Sequence, residues 1–384
     1  MEENYVAMSR SESVAMIRAT ARNFAENELR PVVMKYDELQ EFPHEIVRKL
    51  GEIGFMGAMA PEEYGGAGLS TLEFFAVIEE ISKIDPSVGL TLSVHNGLGV
   101  GHMLTYGSEE QKRKYLPDLC SGKGLGAWCL TEPGSGSDSG AMRTTAVREG
   151  EWWILNGSKS FITHGSVGSI FTVMAVTGKQ NGKNQISAFI VEQGTPGFTA
   201  AKKENKLGMR ASDTAGLLFD NVRIPIKNLI GKEGEGFKQA MKMLEGSRIG
   251  IAALAVGLAQ GAFDACLKYV KERRQFGKPL ADFQGIQWKL AEMSTEIEAA
   301  RLLTEKAAVM KMNGEEINRI SAQAKLFASE VAVQAANEAV QMHGGYGYIK
   351  EFPVEKFYRD AKLLTIGEGT SEVQKMVIAK SILQ

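Results

Sequence analysis

The chain has 384 residues and a mass of 41.8 kDa, more than one ordinary hydrophobic core needs, so we expect two or three domains. Hydrophobic residues make up 44% and charged residues 23% of the sequence, a composition that excludes a disordered or fibrous protein. A formal net charge of -2 gives no general attraction for a phosphate backbone, which argues against a nucleic-acid partner.

Cysteine usage and the first residues bear on location. The three cysteines, Cys120, Cys129 and Cys266, are too scattered for a disulfide framework or a zinc site, so we expect buried thiols in a reducing compartment. Met1 is followed by a polar segment without an apolar signal core, and the most apolar stretch, residues 249–259, is shorter than the roughly 18 residues of a membrane span. These features predict a cytoplasmic protein without membrane association; a mitochondrial-matrix protein is the alternative.

The first 122 residues predict helices. Three residue pairs have the spacing of capping boxes: Ser9 with Glu12, Ser70 with Glu73, and Ser108 with Gln111. Each pair opens an amphipathic run, and prolines separate the runs. We therefore expect an all-helical domain over residues 1–122.

Residues 123–234 predict strands, because β-branched and aromatic residues alternate with turn signals. Asn156-Gly157 and Asn181-Gly182 are dipeptides that favour two-residue hairpin turns. No helical crossovers separate the strands, so an antiparallel barrel or sandwich is favoured over a doubly wound parallel sheet.

Helical patterns return after residue 235 and are longer. Runs rich in Ala, Leu, Glu and Lys cover residues 236–274, 282–312, 315–342 and 371–383. They predict a four-helix bundle over residues 235–384, and the whole chain is expected to be a multidomain α+β protein.

Glu368 lies between Gly367 and Gly369, directly before the last helical run. Ser371 with Gln374 has capping-box spacing, so that helix is expected to begin near residue 370 or 371. Its positive end would lie beside the carboxylate, and the glycines would let a ligand approach. These residues alone leave two interpretations open, a positioned base and a solvated turn.

Three other loops offer polar groups. Residues 130–138 form a Gly/Ser-rich loop that can hold a phosphate or the edge of a heterocycle. Residues 273–277 place arginine beside phenylalanine at a helix end, and residues 341–347 are rich in glycine. Each loop alone also fits a plain connection.

Together, the motifs resemble one family. Leu-Thr-Glu-Pro-x-x-Gly-Ser-Asp, Arg-x-Gln-Phe-Gly, Gln-x-x-Gly-Gly-x-Gly, and Arg-Asp-Ala-Lys followed by Glu-Gly-Thr-Ser occur in this order on a helix–strand–helix plan. The chain resembles the acyl-CoA dehydrogenases over essentially its whole length, nearest their short-chain or butyryl-CoA branch. The resemblance implies a helical domain, an antiparallel β-barrel and a four-helix bundle.

The resemblance also implies an FAD between the β domain and the bundle. Residues of the same chain implied to contact it are Trp128, Leu130, Thr131, Gly136, Ser137, Phe161, Thr163, Thr370 and Glu372. A neighbouring subunit is implied to supply Arg273, Phe276, Gln341 and Gly345. A homotetramer, arranged as a dimer of dimers, and an electron-transferring flavoprotein as electron acceptor are implied as well.

The implied reaction is α,β-dehydrogenation of an acyl-CoA. Glu368 would remove the α-proton while a hydride passes from the β-carbon to flavin N5, and the Glu368 N–H with a ribityl hydroxyl would hold the thioester oxygen. Ser137 and Arg248 would contact the CoA portion or support the base. Gly367 and Gly369 would line the substrate site.

Departures from the family pattern bear on the substrate. Ser247 stands beside Arg248 where some branches carry the base, so Glu368 is the available base and an isovaleryl type is disfavoured. Residues 87–89 lack the arginine of glutaryl-type members, which disfavours a dicarboxylyl substrate. Gly367 replaces a bulky tyrosine common in relatives, which predicts room for a branched or cyclic acyl group. His164 replaces a common asparagine, and the sequence does not predict its effect.

Two alternative functions share this resemblance. One is an acyl-CoA oxidase or nitroalkane-oxidase relative that uses oxygen as acceptor; such proteins tend to be longer or to use aspartate as the base. The other is a flavin-bearing, DNA-associated member of the fold, which would need a basic surface. Glu368, the chain length and the net charge favour the dehydrogenase.

Overall fold

Helices form the N-terminal part of the chain, as predicted. The computed structural model describes residues 11–384. The helices are α1 (Glu12–Phe24), α2 (Val33–Leu39), α3 (His44–Glu52), α4 (Thr71–Ser82), α5 (Pro86–Val94), α6 (Gly101–Tyr106) and α7 (Glu109–Cys120). Short π-helical turns at Ala25–Leu29 and His95–Val100 interrupt them.

Two of the predicted capping boxes are confirmed. The Ser70 hydroxyl accepts the Glu73 N–H at 3.3 Å, and the Glu73 carboxylate accepts the Ser70 N–H at 2.7 Å, at the start of α4. Ser108 and Gln111 make the same reciprocal pair at the start of α7. Of the third predicted pair, Ser9 lies outside the described residues; the N-cap of α1 is Ser11, whose hydroxyl accepts the Val14 N–H at 3.4 Å. Local sequence therefore fixes where α4 and α7 begin.

Eight strands form one mixed sheet in the middle of the chain. They are β1 (Gly126–Cys129), β2 (Thr145–Glu149), β3 (Trp152–Thr163), β4 (Ile170–Gln180), β5 (Lys183–Glu192), β6 (Phe198–Lys203), β7 (Thr214–Pro225) and β8 (Leu229–Ile230). Their order is β6-β7-β3-β2-β4-β5-β8, with β1 paired to β4.

The sheet departs from the predicted antiparallel barrel in two ways. The β1–β4 and β2–β4 pairs are parallel, which is possible because intervening strands make those connections long enough to return in the same direction. No pairing joins β6 to β8 in residues 11–384, so the sheet is open and a closed barrel is not confirmed. The absence of crossover helices between these strands is as predicted.

The predicted turn at Asn156-Gly157 is wrong, because β3 runs through both residues without a break. Gly157 has a φ of 145°, and a Cβ there would lie 2.6 Å from the Thr144 hydroxyl oxygen. Glycine is needed here for close approach of a neighbouring chain segment, not for a turn. The second predicted turn is confirmed: Asn181 and Gly182, with φ values of 51° and 76°, join β4 to β5.

Five helices follow the sheet, where four were expected. They are α8 (Gly236–Glu272), α9 (Gln284–Met312), α10 (Asn318–His343), α11 (Val354–Leu364) and α12 (Ser371–Leu383). Between α8 and α9, β9 (Arg274–Gln275) and β10 (Lys278–Pro279) form a small hairpin. The additional helix is α11, which is short and begins after Pro353 without a side-chain cap to mark its start.

The central helix of this part is α8, which packs against α4, α9 and α10. It contains the apolar stretch 249–259, and its most apolar 18-residue window has a mean hydropathy of 1.6. By length and composition this helix could cross a membrane, contrary to the expectation from the stretch alone. However, 78% of the window is buried inside the protein, so packing against other helices accounts for its composition.

All three cysteines are buried and unpaired, as predicted. Burial raises the pKa of the Cys129 thiol to about 12 and that of Cys120 to about 11. Both are therefore protonated at neutral pH and act as small apolar side chains.

A buried charged cluster ties α11 to the rest of the fold. Lys356 Nζ donates to Asp85 Oδ1 at 2.9 Å and to Asp360 Oδ2 at 2.6 Å. The other oxygen of Asp360 accepts the Met209 N–H from the segment between β6 and β7. Two paired side chains of α11 thus bond to both preceding parts of the chain, Lys356 to Asp85 and Asp360 to Met209.

Arg359 extends this cluster across the surface of α11. Its guanidinium donates to Asp37 Oδ2 of α2 at 2.7 Å and to Glu355 Oε1 at 2.9 Å. The main chain at Arg359 passes against Gly208, where a Cβ would lie 2.3 Å from the Arg359 carbonyl oxygen. The segment that leads into the Glu368 loop is therefore fixed from several sides.

Candidate active site

A short loop between α11 and α12 carries Glu368. Glu368 has a φ of 53° and Gly369 a φ of 95°, both in the region that L side chains rarely adopt. A Cβ on Gly369 would lie 2.6 Å from Gln374 Nε2. At Gly367 the closest such atom is the Leu363 carbonyl oxygen at 3.6 Å, an ordinary contact. The fold therefore requires glycine at position 369 but not at position 367.

Helix α12 begins at Ser371, within the predicted limits, and Thr370 is its N-cap. The predicted capping box of Ser371 and Gln374 is wrong, because the Gln374 side chain turns towards the loop. Its Nε2 donates to the Gly369 carbonyl at 2.9 Å and to the Glu368 carbonyl at 3.2 Å.

The Glu368 carboxyl group is buried and makes no hydrogen bond. Neither oxygen has a partner among residues 11–384, and the nearby Ser247 hydroxyl donates instead to the Leu244 carbonyl at 3.3 Å. Burial raises the pKa of Glu368, while Ser247 and the positive charges of Lys325 and Arg248 act to lower it. A buried carboxyl with a raised pKa and free oxygens has the properties of a general base.

The main-chain N–H of Glu368 also lacks an acceptor in the described part of the chain. The neighbouring N–H groups of Gly367 and Ser371 bond to the carbonyls of Leu363 and Thr365, at 2.8 and 3.0 Å. The loop thus presents a free donor and a free carboxyl on the same residue.

Two buried cations influence this loop. Lys325 of α10 is fully buried, and its Nζ donates to the Gly369 carbonyl at 2.7 Å. Arg248 of α8 donates from Nη1 to Asn318 Oδ1 at 2.9 Å, while its buried Nε has no partner within residues 11–384. Burial lowers the pKa of Lys325 to about 8 and also lowers that of Arg248, and the charge of Glu368 opposes both changes.

Sequence reasoning identified Arg248 but missed Lys325 and Gln374. Lys325 shares the buried face of α10 with Ser321 and Ala328, at helical spacing. A lysine on a buried face is itself a signal, since it needs an acceptor there. Gln374 gives no comparable signal, because its contact depends on the unusual conformation of the loop.

The predicted Gly/Ser-rich loop is anchored at one end by a buried ion pair. Lys159 Nζ donates to Glu132 Oε1 at 2.8 Å and to the Leu130 carbonyl at 3.1 Å. The Ser160 N–H bonds to the Thr131 carbonyl at 2.9 Å, which places the start of the loop beside β3.

Other predicted residues of this region differ in exposure. Gly136 and Ser137 are exposed, and Ser137 makes no hydrogen bond to Glu368 within the described chain. Trp128 is 8% exposed, and its Nε1 donates to His102 Nδ1 at 3.1 Å, so the indole N–H is not available to a ligand.

Phe161 projects from an irregularity in β3. The register with β7 shifts between Lys159 and Ile162, and Phe161 has a φ of 56° with 68% of its surface exposed. Thr163 lies two positions further along the strand and is half-buried. A strained, exposed aromatic side chain is typical of a ligand-binding surface.

Three residues predicted from the ends of α8 and α10 line one open cavity of about 410 Å³: Arg273, Gln341 and Gly345. The Arg273 guanidinium lies 5.2 Å from the ring centroid of Tyr346, another lining residue. Phe276 is not part of this cavity; it lies at the tip of the β9–β10 hairpin and is 92% exposed.

Thr370 and Glu372 lie beside Glu368, at the start of α12. Thr370 is partly buried as the N-cap, and Glu372 is exposed in the first turn. Hydrogen bonds from main-chain N–H and from Thr370 lower the pKa of Glu372. Apart from Phe276, the predicted residues therefore form one group around the Glu368 loop, one along β1, β3 and the neighbouring loop, and one in the Arg273 cavity.

Three family models match the chain along nearly all of its described length. They are the N-terminal domain of acyl-CoA dehydrogenase over residues 11–123, the middle domain over residues 127–222 and the C-terminal domain over residues 234–383. A short-chain specific acyl-CoA dehydrogenase of Clostridium acetobutylicum is 48% identical over 369 residues, 96% of this chain and 97% of that protein.

Solved structures agree with these matches. Butyryl-CoA dehydrogenase from Megasphaera elsdenii has a TM-score of 0.95 and 43% identity, covering 97% of this chain and 99% of that one. A chain in a structure described as the electron transferring flavoprotein of Acidaminococcus fermentans has a TM-score of 0.95 and 45% identity, covering 97% and 98% of the two chains. The chain belongs to the acyl-CoA dehydrogenase family.

Proposed function

We propose that the protein oxidises a short-chain, branched or cyclic acyl-CoA to the 2-enoyl-CoA, with Glu368 as the base that removes the α-proton. The observation that carries this proposal is the buried Glu368 carboxyl, whose two oxygens have no hydrogen-bond partner in residues 11–384. Leaving such a group unsatisfied costs free energy, which a bound ligand can recover. A base aimed at substrate accounts for this arrangement better than a structural carboxylate does.

In the proposed reaction the Cα–H proton moves to a Glu368 oxygen, and the electron pair left behind forms the double bond as a hydride leaves the β-carbon. FAD, the cofactor of this family, supplies the acceptor for that hydride when bound. The free Glu368 N–H is available to donate to the thioester oxygen and to stabilise the negative charge that develops there. Lys325 and Arg248 favour the ionised carboxylate that the first step requires.

Residues of this chain fit an FAD at the Glu368 loop and along β3. The exposed ring of Phe161 offers an aromatic surface, and Gly136 and Ser137 offer exposed polar groups. The N-terminus of α12, at Thr370 and Glu372, favours an anionic ligand. We assign Trp128 of β1, the main chain of the anchored loop at Leu130 and Thr131, and Thr163 to the same binding surface.

The Arg273 cavity fits the phosphate and adenosine portion of the cofactor. It combines a guanidinium with main-chain groups of a glycine-rich turn. We propose that a second copy of the chain supplies this surface, with Arg273, Gln341, Gly345 and the exposed Phe276, to the FAD of its neighbour. A homotetramer arranged as a dimer of dimers would give every FAD both surfaces.

Gly367 is the basis of the proposed substrate class. Its conformation does not demand glycine, and a Cβ there would meet only Leu363, at 3.6–3.9 Å, which is ordinary contact. Arg248 and Ser137 are proposed to contact the CoA portion. Replacing Gly367 with Tyr should reduce turnover of branched or cyclic thioesters more than that of butyryl-CoA, with Gly367→Ala as the control. The substrate proposal fails if the parent turns over butyryl-CoA far better than any branched or alicyclic thioester.

Electron transfer and domain division are further parts of the proposal. The match to a chain from an electron transferring flavoprotein structure supports such a flavoprotein as the acceptor. We propose three functional domains, over residues 1–122, 123–234 and 235–384.

Rapid oxygen consumption during turnover would favour an oxidase instead, and retention on DNA at moderate salt would favour the DNA-associated alternative.

The decisive experiment is anaerobic mixing of the FAD-loaded protein with a panel of acyl-CoA thioesters while the flavin absorbance is followed. We expect bleaching by at least one thioester, and a loss of about 10²–10⁴-fold in its rate for Glu368→Gln, the range that a general base contributes. Glu351→Gln, which removes an exposed carboxylate, is the matched control. If no thioester bleaches the flavin, or if Glu368→Gln keeps the parental rate, the proposal is wrong.

A further inference from the structure

Lys325 is a fully buried ammonium group without an ion-pair partner in residues 11–384. The two other lysines that are buried to this degree are each paired with a carboxylate. Lys159 lies 2.8 Å from Glu132, and Lys356 lies 2.6 Å from Asp360. Lys325 instead donates to a main-chain carbonyl, that of Gly369.

One neutral carbonyl is poor compensation for a buried positive charge, because such a charge normally needs an opposite charge to offset its lost hydration. Among the charged groups near Lys325, Glu368 has the largest effect on its pKa and raises it, and Lys325 in turn lowers the pKa of Glu368 more than Arg248 does. Neither group satisfies the other by a hydrogen bond. The two charges therefore stabilise each other at a distance, which leaves the Glu368 oxygens free.

The contact made by Lys325 also bears on backbone geometry. The Gly369 carbonyl accepts from Lys325 of α10 at 2.7 Å and from Gln374 of α12 at 2.9 Å. Gln374 holds the Glu368 carbonyl as well, at 3.2 Å. Donors on two helices thus hold a loop in which Glu368 has a positive φ, a conformation that persists only when surrounding contacts determine it.

We propose that Lys325 is a positioning residue for the reaction: its Nζ fixes the Gly369 carbonyl and so the Glu368 backbone, while its charge stabilises the ionised carboxylate without occupying its oxygens. This inference rests on the proposed function, because it assigns Lys325 a role through the base Glu368. Its contact with Gly369, unlike an ion pair, leaves the base open to substrate.

Other charges near Lys325 lie on its own helix and on two helices packed against it. Arg248 of α8 lowers the pKa of Lys325, while Glu330 of α10 and Glu372 of α12 raise it, each acting in addition to burial and Glu368. The pKa of Lys325 lies at about 8, so its charge is present at neutral pH and is lost in mildly alkaline solution. The support that it gives to the carboxylate should weaken over the same range.

The test is an infrared titration of Glu368 in the FAD-loaded protein without substrate. The carbonyl band of the protonated carboxyl is identified as the one that Glu368→Gln removes. Lys325→Met and Lys325→Gln both remove the charge, and Lys325→Gln keeps a donor. We expect both to move the Glu368 midpoint upwards by about one to two pH units, the size typical for loss of a neighbouring opposite charge. Lys325→Arg keeps the positive charge and should bring the Glu368 midpoint most of the way back to the parental one.

Gln374→Leu is the matched control, since it removes a neutral donor to the same carbonyl and keeps the charge. We expect its midpoint to move by less than half as much as that of Lys325→Met. The inference would be overturned if the Glu368 midpoint shifted equally in Gln374→Leu and Lys325→Met. It would also be overturned if a folded Lys325→Gln variant kept the parental midpoint. Melting temperatures establish which variants are folded.

Flavin reduction separates this inference from the proposed function. Lys325→Gln should slow bleaching at pH 7, approaching tenfold for each unit of upward shift where the Glu368 midpoint lies above pH 7, and the rate should recover at higher pH as Glu368 ionises. If Glu368→Gln bleaches at the parental rate, the proposed function itself fails. If Glu368→Gln is inactive while both neutral Lys325 variants keep the parental midpoint and pH profile, only the role of Lys325 is wrong.

Discussion

Asp360 and Glu368 are two buried carboxyl groups on the same C-terminal stretch, and their surroundings differ. Asp360 accepts from Lys356 and from the Met209 N–H, so both of its oxygens are bonded. The Glu368 oxygens have no partner, and the nearest buried lysine bonds to the next residue's carbonyl. The first carboxylate joins parts of the fold, whereas the second is kept free at a cost in stability.

The difference shows that one buried carboxyl serves to hold the fold together, whereas the other remains available for chemistry. At the Asp360 cluster, burial alone would lower the pKa of Lys356, but Asp360 and Asp85 outweigh burial and raise it. Burial raises the pKa of both carboxyls, but Asp360 also accepts hydrogen bonds from Lys356 and the Met209 N–H, which act to lower its pKa, whereas the oxygens of Glu368 have no partner in residues 11–384. The ion pair of Lys356 and Asp360 holds α11 in place, and the unpaired carboxyl of Glu368 lies in the loop that follows α11.

The largest effect on stability is expected for Asp360→Asn. This change leaves Lys356 without its closest carboxylate in a fully buried position, which should cost about 3–5 kcal/mol. Glu368→Gln is the matched control, and its apparent free energy of unfolding should stay within about 1 kcal/mol of the parent or increase, because it removes a buried charge that makes no bond. Urea unfolding followed by circular dichroism measures both. A larger loss for Glu368→Gln than for Asp360→Asn would break the comparison.

A smaller effect should distinguish the two glycines beside Glu368. Gly369→Ala forces a side chain into a positive φ and against Gln374, and should cost about 1–3 kcal/mol. Gly367→Ala meets no atom closer than 3.6 Å and should change stability by less than about 0.5 kcal/mol. Thermal unfolding of the two variants side by side provides the measurement. Equal losses would show that both glycines serve the backbone, and would remove the support for Gly367 as a substrate determinant.

The smallest effect concerns pH and a buried imidazole that, like Asp360, has all its polar atoms bonded. His102 accepts from Trp128 Nε1 and bonds to Gln239, each at 3.1 Å, and burial lowers its pKa to about 4. The unfolded imidazole takes up a proton near pH 6.5 and the folded one does not, so stability falls as pH decreases from about 6.5 to about 4, by at most about 1.4 kcal/mol per unit.

Replacing His102 with Asn removes this proton uptake. We expect the variant to lose about 1 kcal/mol less than the parent between pH 6.5 and pH 5.5, measured by urea unfolding at each pH. His44→Asn, at an exposed position, is the control and should follow the parent. Identical pH slopes for His102→Asn and the parent would count against a neutral, fully bonded imidazole.

Features set by local sequence could be predicted. The caps at Ser70 and Ser108, the Asn181-Gly182 turn and the start of α12 depend on residues close together in the chain. The position of Glu368 before a helix followed from the same local reasoning, although its role required a resemblance to a family.

Features set by distant contacts could not be predicted. Asn156-Gly157 has a local turn signal, but pairing with two neighbouring strands keeps it extended. Lys325 bonds to Gly369, which lies 44 positions further along the chain. The Gln374 side chain turns away from its expected capping partner because its amide donates to the loop carbonyls. Sheet closure likewise depends on how distant strands meet, which a periodic pattern does not specify.

The bond between Arg359 and Asp37 joins residues separated by 322 positions. During synthesis, Asp37 leaves the ribosome long before Arg359 has been added to the chain, so the Asp37 carboxylate of α2 stays without this partner until synthesis is nearly complete. Contacts of such long range make folding slow, since the closure entropy of the intervening chain is lost before the contact forms. The Glu368 loop follows the late partner directly, so it is expected to become ordered among the last parts of the chain, which makes catalytic competence a marker of complete folding.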